Sequence, residues 1–181
     1  MVAIGLGSKL LQSRIIFISE EINAETVTRY QAQLIYLTSN MTPKESEKNP
    51  IQIYINSPGG EIYSALGLYD LMQKFISSGY IIKTVNVGLA ATAAAIILMS
   101  GSKGYRHAMP NCRVLLHQPS SGTWGTVTDM KIDLEECDNI KSIINNIVLK
   151  HANQDLIPSM ERDKWLSAKE SLKYNIIDSI L

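Results

Sequence analysis

Apolar residues fall along this chain in two rhythms. Residues 14–18, 51–55, 81–87 and 112–116 are short runs rich in β-branched side chains and read as strands. Between them, apolar side chains recur every three or four positions. Val27, Tyr30, Leu34 and Leu37 do so behind Asn23, a natural helix cap. Ile62, Ala65, Leu66, Tyr69, Met72 and Ile76 do so within residues 61–77. Residues 91–99 read as a buried helix. Residues 126–151 read as a long one, with no Gly or Pro inside and a stripe of Met130, Leu134, Cys137, Ile140, Ile144, Ile147 and Val148. Ser167-Ala168-Lys169-Glu170 fits a capping box and opens a last helix, and residues 176–181 close the chain as a strand. Residues 40–50, polar with two prolines, read as an exposed loop. Strands alternating with helices, without a linker, repeat or low-complexity tract, predict one α/β domain with parallel pairing.

Composition narrows the function classes. The 181 residues are 45% hydrophobic and 19% charged with zero formal net charge, as expected for a globular domain without a basic face for nucleic acid. No apolar run is long enough to span a membrane, and the start, MVAIGLGSKLLQSR, lacks the charged and apolar regions of a secretory signal. Cys112 and Cys137 stand apart, with no metal-ligand or CxxC spacing, and read as reduced structural thiols.

Two loops could carry chemistry. Ser57-Pro58-Gly59-Gly60 ends a strand with residues that permit a tight turn and present N–H groups to developing negative charge, although such a turn has a purely structural use too. In VNVGLAATAAAIIL, residues 85–98, Thr92 is the one hydroxyl among very small side chains at the start of a helix. Its oxygen has a bland use as a helix-start hydrogen-bonding group and a chemical one as a nucleophile. Of the three histidines, His107 and His151 lie in polar contexts and read as solvated. His117 sits at the carboxyl end of a strand, where α/β sites gather, and reads equally well as a general base or as a buried structural histidine.

The residues also carry a resemblance. Tyr54-Ile55-Asn56-Ser57-Pro58-Gly59-Gly60, Gly88-Leu89-Ala90-Ala91, Gly101-Ser102-Lys103-Gly104 and PNCRVLLHQP at 110–119 are similar, in order and register, to the ClpP family of Clp protease proteolytic subunits. The similarity extends from SKLLQSRIIF at 8–17 to Leu166-Ser167-Ala168 and Ile177-Asp178-Ser179-Ile180-Leu181, nearly the whole chain. It implies a single ClpP-like domain over residues 1–181, with the crotonase-type fold of stacked β-β-α units and a projecting handle helix at about 126–151. It also implies a homo- or hetero-oligomer of two stacked heptameric rings, including other ClpP-type subunits, with no nucleic acid or membrane partner. A Clp ATPase chaperone would feed unfolded polypeptides into the chamber. ATP belongs to that partner, so neither cofactor nor metal is expected here. The implied location is the cytoplasm, or the matrix or stroma of an organelle. The handle's apolar stripe, too large for a lone helix to leave in water, is expected to be covered by the opposite ring.

The chemistry implied is acyl transfer by a Ser-His-Asp triad, with His117 as base and Gly60 and Ala93 as oxyanion-hole donors. Several positions depart from the family pattern. Thr92 stands where the nucleophilic Ser belongs, and Ala93-Ala94 replaces the usual Met-Gly. Asp163 matches a second, non-catalytic Asp when counted back from Leu166-Ser167-Ala168, and the triad acid when counted from Ile157 to Met160. The first alignment needs a single deletion and is preferred. Only seven residues precede Ser8, where the family has a longer gating hairpin, which implies a more open pore. Gln52 and Tyr54 stand where two aromatics often help form the ATPase-docking pocket, which implies altered docking.

The reading that follows is a subunit with impaired or absent peptidase activity, like the non-catalytic ClpR class, serving a structural or regulatory role in a mixed ring. The alternative is an active endopeptidase using Thr92, His117 and Asp163. A further alternative is a crotonase-type enzyme acting on an acyl thioester through Gly60 and Ala93.

Overall fold

The computed structural model describes residues 6–120 and 122–181. Met1 to Gly5, most of the short segment expected to leave the pore open, lie outside the described residues, and α1 (Leu6–Gln12) follows them directly. The core is a parallel sheet. β1 (Ile15–Ile18), β2 (Ile51–Ser57) and β3 (Ile82–Ala91) pair in parallel, and β3 then pairs with β4 (Arg106–Ala108), which pairs with the short closing strand β7 (Ser179–Ile180). Ile16, Ile18, Ile51, Ile53, Ile55 and Ile82 are all but fully buried, which is why these strands read as near-continuous apolar runs.

β3 is long enough to serve two neighbours. Its first half, Thr84 to Asn86, pairs with β4, and its second half, Leu89 to Ala91, pairs with β5 (Arg113–Leu116). β5 in turn pairs antiparallel with β6 (Lys164–Ser167). Two asparagines stitch the point where β3 changes partner. The buried Asn86 side chain donates to Arg113 O at 2.9 Å and accepts from Gly88 N at 3.0 Å, while Asn56 Oδ1 accepts from Leu89 N at 3.0 Å. Gly88 is required there, since a Cβ would lie 2.5 Å from Asn56 Oδ1.

Helices cover the sheet. α2 (Ala24–Ser39) starts at Asn23, whose side chain and that of Thr26 satisfy each other's backbone N–H groups. α4 (Ile62–Ser77) packs on α2 and on α5 (Ala93–Met99), a seven-residue helix whose side chains are all buried. α7 (Ala168–Lys173) opens on the expected Ser167–Glu170 capping box. Residues 40–50, expected as a loop, instead contain α3 (Pro43–Lys48). Thr42 caps it with Glu45 in a reciprocal box, and Pro43 lies in the first turn, where its missing N–H costs nothing. Ser46 from this helix then receives Ile81 N at 2.9 Å and anchors the entrance to β3.

The long helix α6 (Val127–His151) behaves as two halves. Ile140, Ile144, Ile147 and Val148 are buried in the chain's own core, correcting the expectation that the whole stripe awaits another subunit. Val127, Met130, Ile132 and Leu134, together with Trp124 just before the helix, remain exposed. Among the described residues no helix is long and apolar enough to cross a membrane.

His151, expected in solvent, is half-buried at the end of α6, with Nε2 2.9 Å from the Tyr69 hydroxyl. Burial first, then the neighbouring cations Lys150, Arg106 and Lys103, push its pKa down to about 4. His107 is also partly covered, its Nδ1 2.6 Å from Ser179 Oγ. Arg106, 1% exposed, donates to both carboxylate oxygens of Asp178 at 2.9 and 2.7 Å and to His151 O at 2.8 Å. One buried cation thus ties β4 to the last turn of α6 and to the chain's end. Burial would raise the Asp178 carboxyl, but hydrogen bonds from Arg106, its charge and the Gly104 N–H prevail and hold it at about 2.

Asp178→Asn leaves the Arg106 guanidinium buried without its countercharge and is expected to cost about 3–5 kcal/mol in urea-monitored unfolding. The pH dependence follows from the two shifts. Both folded pKa values are depressed, so stability is full above the unfolded His value near 6.5. It falls first as His151 must stay neutral down to about 4, then further as the Asp178 carboxylate is protonated between about 4 and 2. Thermal melts across that range should show two descending steps, with the lower one absent in Asp178→Asn.

Candidate active site

The site is assembled by strand register. Ala91 of β3 lies opposite Leu115 of β5, and the next N–H, that of Thr92, donates to Leu115 O at 2.8 Å. That bond pins Thr92 at the point where the strand turns into α5. Its backbone has φ 49° and ψ −115°, a left-handed conformation for a β-branched residue, which costs on the order of 1–3 kcal/mol. The seven apolar residues of α5 bury themselves behind it and hold the turn sharp.

Gly59 makes room for that elbow. A Cβ at Gly59 would lie 1.9 Å from Thr92 Oγ1 and 2.4 Å from Ala91 O, so the hydroxyl rests against bare backbone. Gly60, at φ 145°, is clamped against Ile22, whose carbonyl would meet a Cβ at 2.1 Å. The bridge between them uses Ile22 N to Gly59 O and Glu61 N to Ile22 O, both 2.7 Å, and leaves the Gly60 N–H out. Ala93, at the first position of α5, has an N–H that the helix cannot use. Both are geometrically suited to receive an oxyanion.

β5 also brings the imidazole and the carboxylate together. In the antiparallel register Leu116 faces Lys164, so the next pair outward is His117 and Asp163. His117 Nδ1 lies 3.1 Å from Asp163 Oδ1. Asp163 therefore lies within hydrogen-bond reach of the imidazole, whichever way the chain is counted. Register decides this, since the strand pairing sets which residue faces His117 whatever length of chain precedes it. The preceding segment, a 3₁₀ stretch (Gln154–Glu161), is held by Gln118 N to Met160 O at 2.8 Å and Gln118 Nε2 to Glu161 O at 3.0 Å. Lys141 on α6 reaches Glu161 Oε1 at 2.9 Å.

Thr92, Ala93, Gly60 and His117 line one cavity of about 220 Å³, with Ile62, Ile96, Leu116 and Ile144 giving it an apolar wall. Glu61 lines it too, although the sequence reading gave that residue no part in the site. Its position directly after Gly60 was the available signal. Gln118 was likewise passed over, and nothing in its local pattern marks it. Among the described residues no three His, Cys, Asp or Glu side chains cluster as metal ligands.

A hydroxyl on a strand-to-helix elbow, an imidazole in the same cavity backed by a carboxylate, and two free backbone donors can together perform acyl transfer of the serine-hydrolase type. Comparison with known proteins defines the family. A family model described as Clp protease matches residues 2–181. Two proteins named ATP-dependent Clp protease proteolytic subunit, from Bacteroides thetaiotaomicron (strain VPI-5482) and Bacteroides fragilis (strain ATCC 25285), are each 40% identical over 177 residues. The aligned region covers 96% of this chain in both, with 77% of the first relative and 82% of the second. This chain belongs to the Clp protease family.

Gly59→Ala tests the elbow. With a methyl forced onto Thr92 Oγ1 and Ala91 O, the turn must shift, at a cost of about 1–3 kcal/mol. Differential scanning calorimetry should show a melting temperature several degrees lower, and labelling of Thr92 by a fluorophosphonate probe should be lost.

Proposed function

We propose that this chain is a ClpP-like subunit of an ATP-dependent Clp protease core that keeps the acyl-transfer frame but runs it slowly, because its nucleophile is a threonine. The supporting observation is the crowded elbow, where Thr92 Oγ1 is packed against Gly59 at a left-handed backbone position. In the reaction, Thr92 Oγ1 attacks the peptide carbonyl while His117 Nε2 takes its proton. Asp163 holds Nδ1–H and the ring tautomer. Gly60 and Ala93 N–H groups receive the oxyanion. His117 then protonates the departing amine, and water, deprotonated by the same ring, releases the acyl group.

The methyl of Thr92 restricts χ1 and stands where the acyl carbonyl must approach. A displacement of about 1 Å is enough for a loss on the order of a hundredfold. With Asp163 beside His117, impairment rests on this residue alone and no longer on a missing acid. Such a subunit contributes mainly structure to a mixed ring, like the ClpR class, while partner subunits do most of the cutting and a Clp ATPase delivers unfolded polypeptide.

Thr92→Ser is expected to raise cleavage of short fluorogenic peptides about a hundredfold, and Thr92→Ala to abolish it. Adding Asp163→Asn to Thr92→Ser should cost roughly 10⁴ in kcat, as loss of the orienting acid does in such triads. If Thr92→Ser gives no gain in a folded assembly, the subunit is silent and purely structural.

Assembly is tested on the exposed half of α6. Ile132 and Leu134 are 59% and 62% exposed, and each such side chain covered by an opposite ring contributes roughly 1.5–3 kcal/mol. Ile132→Glu with Leu134→Glu should split double rings into smaller species of unchanged circular dichroism, read by light scattering. Ile140→Asp with Ile144→Asp should instead unfold the head, because those side chains belong to its core.

A further inference from the structure

We propose that Glu61 is the specificity-determining residue of the catalytic cavity and selects polypeptides with a Lys or Arg side chain beside the apolar residue that the cavity takes. The proposal rests on the acyl-transfer reading of that cavity. Glu61 directly follows the donor Gly60, so its carboxylate stands within one residue of the oxyanion position, in the cavity that holds Thr92 and His117. The rest of the lining includes no Lys or Arg, and its wall of Ile62, Ile96, Leu116 and Ile144 suits an apolar side chain. A substrate placed with its carbonyl at Gly60 and Ala93 and its apolar side chain on that wall therefore meets one fixed negative charge.

Glu61 is also held ready for that role. It occupies the position before α4 without capping it, and Ser64 Oγ donates to its Oε2 at 2.9 Å. That bond restrains the side chain at one oxygen and leaves Oε1 to receive an ammonium or guanidinium. An adjoining cavity shares Ile62, Pro119 and Ser120 with the first and is lined by Asp133 and Glu136, again without Lys or Arg. No cation in either lining competes with a basic substrate residue for Glu61.

Because Glu61 is exposed, the effect is severalfold and not several orders of magnitude. The test uses the full-length Thr92→Ala chain, in which turnover cannot distort binding. Two dye-labelled hexapeptide amides, identical except for Lys or Gln beside a Leu, are titrated by fluorescence anisotropy. The Lys peptide should bind about 3–10-fold more tightly at low ionic strength, with the preference shrinking in about 0.5 M salt. Glu61→Gln, which keeps volume and the Ser64 bond, should bring the ratio to about one. Equal affinities, a Lys preference that survives Glu61→Gln, or no binding of either peptide would overturn the proposal. A silent Thr92 with the Lys preference intact would sink the peptidase reading alone, since binding is measured without turnover.

Discussion

The site depends on β5 being paired on both sides at once. Its parallel edge to β3 fixes Thr92 through the bond to Leu115 O, and its antiparallel edge to β6 sets His117 against Asp163. Backbone ladders have a side-chain period of two, so a slip of one residue on either edge would turn these side chains to opposite faces. Three residues far apart in sequence are thereby placed by main-chain hydrogen bonds.

That double pairing requires β3 to give up β4 and take β5 within a few residues. A strand changing partners exposes N–H and C=O groups at the switch, and these must be satisfied. Asn86 and Asn56 do this with their amides, one towards Arg113 O and Gly88 N, the other towards Leu89 N. At the opposite end of the sheet, the buried pair of Arg106 and Asp178 ties β4 and the chain terminus to α6. Asn86 and Arg106 are thus buried polar groups that serve a strand exchanging neighbours and a strand tied to the chain's end.

Strongly apolar or periodic segments were legible in the sequence, and polar or composite ones were not. The runs at 51–55 and 81–87 and the helical stripe at 61–77 correspond to β2, β3 and α4, because each buries a full face. β4 (RHA) and β6 (KWLS) lack the apolar run that marks the equally short β1 and β5. α3 lies in a segment whose two prolines and charges suggest a loop and mask a capping box that residues 42–45 do spell out. The stripe of α6 looked continuous, yet only its later half meets this chain's core, a division that depends on where α5 and the sheet end in space. Asp163 could not be assigned by counting along the chain, since its partner is set by pairing across strands. The resemblance to the family supplied the roles of Thr92, His117, Gly60 and Ala93, and spacing alone would have left each with an equally good structural use.

The frame that surrounds residue 92 is made almost entirely of backbone and small side chains. Gly59 and Gly60 contribute no side chain, Ala91 and Ala93 only methyls, and the elbow is clamped by Leu115 O on one side and by buried α5 on the other. Such a frame leaves the residue at the turn constrained by its left-handed backbone and by the close approach of Gly59. Thr92 carries its strain in its own backbone at φ 49°, while His117 and Asp163 lie 3.1 Å apart and Gly60 and Ala93 line the same cavity as Thr92.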